Sequence, residues 1–444
     1  MKPEEALAWL ESRPDITSLR AAVCDLNGIL RGKRVPVAQA GKVLEGATRM
    51  PYSITCLDIW GEDVKGNPLV FQQGDIDGRC EPTGRGFLPV NWLGSPTALL
   101  PLWMLNEDGT PYLGDPRRVL AAVCARYAAR GLRPVVATEL EFYLVDTTGE
   151  VPTPPRSPVT HKFLDGDGAL SIDDLDHFEA FFTDVYAACD AHGVPVDSAI
   201  SENGGGQFEI NLLHEPDPLK AADDALYFKR FVKGIARKYE LAASFMAKPF
   251  LDRAGNGFHV HFSLLDRDGR NVFDSGTADG SETMRHAVGG VLALMPASSL
   301  IFAPHRNSYR RLTPNAHVAS EVKWGYETRA AAVRIPGGSN GARRIEHRVA
   351  GADANPYLVL AAILGAALEG MENGIEPPAP MVGAEEALPI DWKQAIDSFD
   401  RSEAMGKIFA PVLRDAFVGM KRQELQVFSQ QISPFEHETY LETV

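Results

Sequence analysis

Four separated segments of the chain alternate polar and apolar residues with a period of two, as strands do when they bury one face and present the other. Over 136–144 the alternation sets Glu139 and Glu141 against Leu140, Phe142 and Leu144. In the second segment Gln207, Glu209 and Asn211 oppose Phe208, Ile210 and Leu212, and in the third His259, His261 and Ser263 oppose Val260, Phe262 and Leu264. The fourth carries Arg344, Glu346 and Arg348 on one side. Helical spacing predicts helices over 173–192, 218–245, 281–294 and 355–371. Another is expected where Asp115 can cap a helix whose first residue is Pro116. Upstream of it, 20–26 and 29–33 flank Asn27-Gly28 and predict a hairpin in a small β-rich unit. The expected class is therefore α+β, divided into residues 1–107 and 108–444.

A half-solvated antiparallel strand explains any one of these polar faces. If all four share a sheet with helices behind it, they converge on one cleft, and Glu139, Glu141, Glu209 and Glu346 then repel one another unless divalent cations lie among them. Carboxylates with an occasional imidazole, such as His259, suit Mg²⁺ or Mn²⁺ better than soft metals. Arg311, Arg329, Arg334, Arg344 and Arg348 exceed what one metal site needs and point to anionic ligands, carboxylate or phosphate. Together these are the parts of phosphoryl transfer from a nucleotide. No Gly-x4-Gly-Lys-Ser/Thr loop occurs, so a P-loop enzyme is excluded. Gly204-Gly205-Gly206 and Gly255-Asn256-Gly257 precede two of the strands and allow either tight turns or close approach of backbone to ligand.

Composition narrows the partners. The net charge of 44 − 59 = −15 argues against general affinity for nucleic acid or anionic lipid. Five scattered cysteines suggest neither a disulfide framework nor a thiolate zinc site. No run reaches the roughly 18 apolar residues of a membrane span, and the start lacks a basic region followed by an apolar one, so a cytoplasmic protein with no membrane partner is expected.

The polar-faced segments also resemble, in order, the signature blocks of the glutamine synthetase superfamily. The blocks are Glu139-Leu140-Glu141-Phe142, Glu202 to Glu209, Gly257 to Leu264, Asn307 to Leu312, Arg329 to Pro336, and Arg344 to Arg348 followed by Asn355-Pro356-Tyr357. The resemblance implies a small N-terminal β-grasp domain, a larger catalytic domain whose antiparallel sheet lines the active site, and a ring assembly, usually a dodecamer. It implies that Glu141, Glu202 and Glu209 hold one metal, and that Glu139, His259 and Glu346 hold a second nearer the ATP phosphates. Arg311, Arg348 and Gly255 would contact glutamate; Arg329, Arg334 and Arg344 would offset phosphate charge; His261 and Ser263 would face the nucleotide. The implied reaction makes γ-glutamyl phosphate from glutamate and ATP, and an amine then displaces phosphate.

The acceptor side departs from a glutamine-forming enzyme. In the family a flap glutamate and an N-terminal aspartate surround ammonium. Here His317 stands at the flap position, and Met50-Pro51-Tyr52-Ser53-Ile54-Thr55 carries no carboxylate. Ala254 replaces an asparagine that usually contacts glutamate. The stretches 25–33 and 324–329 look like the branch that glutamylates organic amines, including the γ-glutamylpolyamine synthetases, with putrescine, ethanolamine or a monoamine as acceptor. His317 would be either the base that accepts the amine proton or a structural flap residue. An ordinary glutamine synthetase is the alternative activity, and a non-catalytic binder of glutamate or nucleotide the alternative class. Retention of all six metal-ligand positions speaks against the second.

Overall fold

The computed structural model describes residues 2–164, 166, 168–313, 321–384 and 386–444. Two sheets organise it. The first contains β1 (Ser18–Cys24), β2 (Leu30–Pro36), β3 (Thr48–Pro51), β4 (Asp77–Pro82), β5 (Leu88–Val90) and β6 (Thr97–Leu105), in the order β2-β1-β6-β4-β3 with β5 also on β6. Only β1 and β6 run parallel within it, giving the mixed sheet expected of a β-grasp unit. These two central strands are buried on both sides, so their sequences are almost continuously apolar. Leu19, Ala21 and Val23 enter a small core of this unit, whereas Ala22 and Cys24 join the large core of the rest of the chain.

The predicted hairpin is β1–β2, but its connection is the five-residue loop Asp25–Ile29 and not a two-residue turn, since Cys24 pairs with Leu30. Gly28 supplies the left-handed residue (φ 76°) and the Asp25 carboxylate accepts from Ile29 N–H (2.8 Å) and Arg31 Nε (2.8 Å). Asn355 explains its own place in the sequence: Oδ1 caps the helix Pro356–Asn373 by accepting from Tyr357 N–H, and Nδ2 donates to the Asp25 carbonyl (2.9 Å). One side chain thus starts a core helix and docks the hairpin loop on it.

The second sheet contains β7 (Arg133–Val145), β8 (Val196–Ser201), β9 (Gln207–Leu212), β10 (Ala242–Ser244), β11 (Phe258–Leu265), β12 (Trp324–Tyr326), β13 (Val333–Ile335) and β14 (Ile345–His347). Its order is β12-β13-β14-β11-β7-β9-β8, with β10 beside β7, and every pair is antiparallel except β12–β13. The four polar-faced segments are the contiguous strands β14, β11, β7 and β9. Their apolar faces, including Leu140, Phe142, Phe208, Ile210, Val260 and Phe262, enter the large core that also takes in the long helices Pro218–Ala236, Glu282–Phe302 and Pro356–Asn373.

Two predicted helices differ. The one expected over 173–192 is broken at Phe178 into Ile172–His177 and Glu179–His192, because the buried Phe178 leaves helical geometry (ψ 24°) to place its ring in the core. The one expected over 218–245 ends at Ala236; Glu240 turns the chain with φ 57°, and 242–244 become β10, whose bonding partner on β7 is invisible to local spacing. The helix Glu282–Phe302 is long and apolar enough to cross a membrane, with a mean hydropathy of 1.3, yet 78% of that window is buried within the protein. Gly290 lets its backbone approach Ala366 and Gly370 so closely that a Cβ would lie 2.2 Å from the Ala366 carbonyl oxygen, as befits a core helix.

Candidate active site

Strand register sets the site. Glu139 on β7 lies between His259 on β11 and Asn211 on β9, Glu141 opposite Glu209, and His261 opposite Glu346 on β14. Because neighbouring strands lie about 4.8 Å apart, this register by itself brings the acidic side chains together. They line a cavity of about 330 Å³ that contains Glu139, Glu141, Glu202, Glu209 and Glu346 with His259. Arg311, Arg329, Arg334, Arg348 and Gly255 share its wall. Asn203, Gln207, Asn211, Ile200 and Ala254 complete it; alternation had already placed Gln207 and Asn211 on the polar face, whereas nothing periodic marks Asn203 or Ile200.

Four expected residues, His261, Ser263, Arg344 and His317, lie outside this lining. His261 is buried and bridges Glu139, through Nε2 (2.8 Å), to Arg344, whose Nε donates to Nδ1 (3.2 Å). Ser263 lies further along β11, opposite Val135. His317 falls outside the described residues.

The cluster divides electrically. Glu346, fully buried, accepts from Arg334 Nη1 (2.9 Å) and pairs with Arg348 Nη1. Glu139 meets His259 Nδ1 (3.1 Å) and His261, and these partners outweigh burial and hold its carboxyl far below the usual range. Glu346 is likewise held low by His261, His259 and Arg348 against burial. On the other side, burial and the neighbouring Glu141 push Glu202 up to about 7. Burial, with Glu141, Glu139 and Glu202 nearby, pushes Glu209 up strongly as well. Glu141 itself accepts from Gly257 N–H (2.7 Å) and from Gln207 Nε2 (3.4 Å).

The ligand-sized groupings differ from the expected division into two sets of three. Donor atoms of Glu139, His261 and Glu346 lie within 4.8 Å of one another, as do those of Glu139, Glu209 and His259. Glu141 and Glu202 border the same cavity without joining either tight group. An oxygen-rich set with one or two imidazoles, half of it uncompensated, fits hard divalent cations.

The arginines hold distinct positions. Arg311 is buried, and its Nη1 donates to the Val349 carbonyl (2.8 Å) while Nε has no hydrogen-bond partner among the described residues. Burial lowers its affinity for a proton despite Glu141 and Asp353, so a carboxylate ligand would gain from it. Arg329 is exposed at the opening, and Arg348 is engaged by Glu346. Neither Gly255 nor Gly257 has a left-handed backbone, and both pack closely on site side chains: a Cβ on Gly257 would lie 2.8 Å from His259 Nε2, and one on Gly255 2.9 Å from Arg311 Cγ. Ala254 contributes its carbonyl, which accepts from Tyr143 Oη (2.9 Å).

Comparison with known proteins agrees with this geometry. The family model described as glutamine synthetase, catalytic domain, matches residues 113–440. The chain is 36% identical over 446 residues to the gamma-glutamylputrescine synthetase PuuA of Escherichia coli (strain K12), covering 99% of this chain and 94% of that protein. It is 30% identical over 445 residues to the gamma-glutamylethanolamide synthetase GlnA4 of Streptomyces coelicolor, covering 97% and 94%. A solved structure described as a GmaS/ADP complex superimposes with a TM-score of 0.84 at 25% identity, over 98% of this chain and 99% of that one. With its catalytic-domain match and relatives that align along almost its whole length, the chain belongs to the glutamine synthetase family.

Proposed function

We propose that the chain is an ATP-dependent ligase that joins the γ-carboxylate of glutamate to an organic primary amine, such as putrescine, ethanolamine or a monoamine. The observation that carries this reading is the single cavity in which five glutamates and His259 face four arginines. The likeness to synthetases named for γ-glutamyl amides of putrescine and ethanolamine supports the amine class.

In this reading Glu139, His259 and Glu346 hold one divalent cation and Glu141, Glu202 and Glu209 another, Mg²⁺ or Mn²⁺, which supply charge neutralisation at the phosphates. Arg311 and Arg348 hold the carboxylates of glutamate, beside the backbone of Gly255. The γ-carboxylate oxygen attacks the γ-phosphorus of ATP and ADP leaves, while Arg329 at the opening offsets charge on the transferring group. Arg334 and Arg344 face phosphate, with His261 and Ser263 on the nucleotide side. The amine nitrogen then attacks the acyl carbon, phosphate departs, and His317 takes the amine proton.

Ammonium is small and strongly hydrated, so holding it calls for fixed negative charge, whereas an alkylamine also gains from its carbon chain. The segment expected to carry the N-terminal aspartate instead forms the turn Tyr52–Cys56, with Ser53 and Thr55 buried. This favours the amine over ammonia. We further propose a cytoplasmic enzyme, domains meeting near residue 107, and a dodecameric ring in which a neighbouring subunit closes the opening at Arg329. The test is a panel of ammonium, putrescine, spermidine, ethanolamine and monoamines, scored by glutamate-dependent phosphate release with product masses. At least one amine should exceed ammonium about ten-fold in kcat/KM, equivalent to about 1.4 kcal/mol. Glutamine formation faster than every amine ligation would return the chain to glutamine synthesis.

A further inference from the structure

A second cavity, of about 810 Å³, lies behind the turn Arg306–Arg310. Its size falls within the roughly 300–1,000 Å³ of small-molecule sites. Much of its wall is apolar, from Ile29 and Ile59 to Val145, Phe245 and Phe428. Its ionisable lining includes four basic side chains, Lys229, Lys233, Arg306 and Arg310, against the one carboxylate of Asp353.

None of the four cations forms a salt bridge among the described residues. Lys229 Nζ donates to the Ala354 carbonyl (3.0 Å), and burial with the nearby Lys233 pulls its ammonium down to about 7. Lys229 and Lys233 lie 5.8 and 5.5 Å from the Phe245 ring centre, and the Arg306 guanidinium 5.8 Å from that of Phe428. Asp353 Oδ2 accepts from Ser308 Oγ (2.6 Å), its Oδ1 is buried without a hydrogen-bond partner among the described residues, and burial raises its carboxyl, which weakens it as a counter-ion. Partly desolvated cations over aromatic rings, short of carboxylates, favour an anion that brings its own apolar surface.

We propose that this cavity is a second ligand site, for a small organic anion with an aromatic or alkyl body, and that its occupancy is felt at Arg311. The turn Arg306–Arg310 is the shared wall: Asn307 and Arg310 line the second cavity, and the next residue, Arg311, lines the first. Asn307 also clamps Lys248, accepting from its N–H (2.9 Å) and donating to its carbonyl (2.9 Å), so displacement of the turn is transmitted and not absorbed. The coupling rests on the ligase reading, because glutamate KM reports it; the binding does not.

The experiment is a fluorescence titration of the full chain with 8-anilinonaphthalene-1-sulfonate, with the first cavity occupied by saturating ADP and Mg²⁺. One saturable site per chain is expected. Lys233→Glu combined with Arg310→Glu should weaken it at least ten-fold, and the milder Lys233→Gln about three-fold with unchanged Tm. Displacement by phenyl phosphate or by benzoate identifies the preferred head group. Unsaturable binding, or binding indifferent to all these variants, overturns the site. Saturating the site should shift glutamate KM at least three-fold; an unchanged KM overturns the coupling. A chain without ligase activity fails the functional reading and the coupling together, while the titration still decides the site.

Discussion

The two sides of the acidic cavity share a sheet, yet their carboxylates are treated in opposite ways. On the β14 side Glu346 lies between Arg334 and Arg348, and Glu139 is hydrogen-bonded between two imidazoles, so both carboxylates have partners supplied by the protein itself. On the β9 side Glu202 and Glu209 face Glu141 with little to offset them, and both are pushed towards the neutral form. The first side is paired by folding; the second is left with carboxylates that repel one another. A carboxylate cluster that folding leaves uncompensated marks where an external cation gains most.

Removing Glu346 breaks the balanced side and should have the largest effect. Glu346→Ala strands two arginines that its buried carboxylate satisfied, so we expect a loss of about 3–5 kcal/mol in stability together with loss of turnover. Thermal unfolding checks this, and a Tm near wild type would mean the pairing is not structural.

Glu209→Gln should show the opposite sign. Removing a repelled carboxylate should raise metal-free stability by about 1 kcal/mol, while phosphate release falls at least ~100-fold through loss of a metal-ligand charge. Destabilisation in EDTA would show that Glu209 is balanced by something other than an added cation.

Arg329→Lys sharpens the contrast at the opening. The exposed arginine keeps its charge but loses its planar fork, so kcat should drop about ten-fold with the KM values for glutamate and ATP nearly constant. A change confined to KM would make it a ground-state anchor.

The smallest effect is on pH. Glu202 has its folded value raised from 4.5 to about 7, so the metal-free fold holds a proton that the unfolded chain has lost. Its contribution to stability is complete below about pH 4.5 and lost as pH rises through 7, and Glu209 acts in the same direction. In EDTA the Tm should therefore decline by a few degrees from pH 5 to pH 8, and saturating Mg²⁺ should flatten the decline. A flat metal-free profile would remove the electrical contrast between the two sides.

Much of this site was legible in the sequence because alternation is local. In a strand the side-chain direction reverses at every residue, so Glu139 and Glu141, or His259 and His261, had to share a face whatever lay beside them. The cap at Asp115 and the helix behind Asn355 were equally local, since a side chain two residues away satisfies an otherwise free N–H. Pairing was not local. That 242–244 become a strand on β7, and that His261 bridges Glu139 to Arg344, depend on chain segments tens of residues apart. The second cavity is the extreme case, drawing Ile29, Lys229, Arg306 and Phe428 from four distant parts of the chain. The sequence by itself determined which side chains point the same way, because backbone geometry dictates that within a few residues. Which charges are balanced, and which still await a ligand, was decided by the tertiary structure, because Coulomb energies depend on distances and burial that only packing sets.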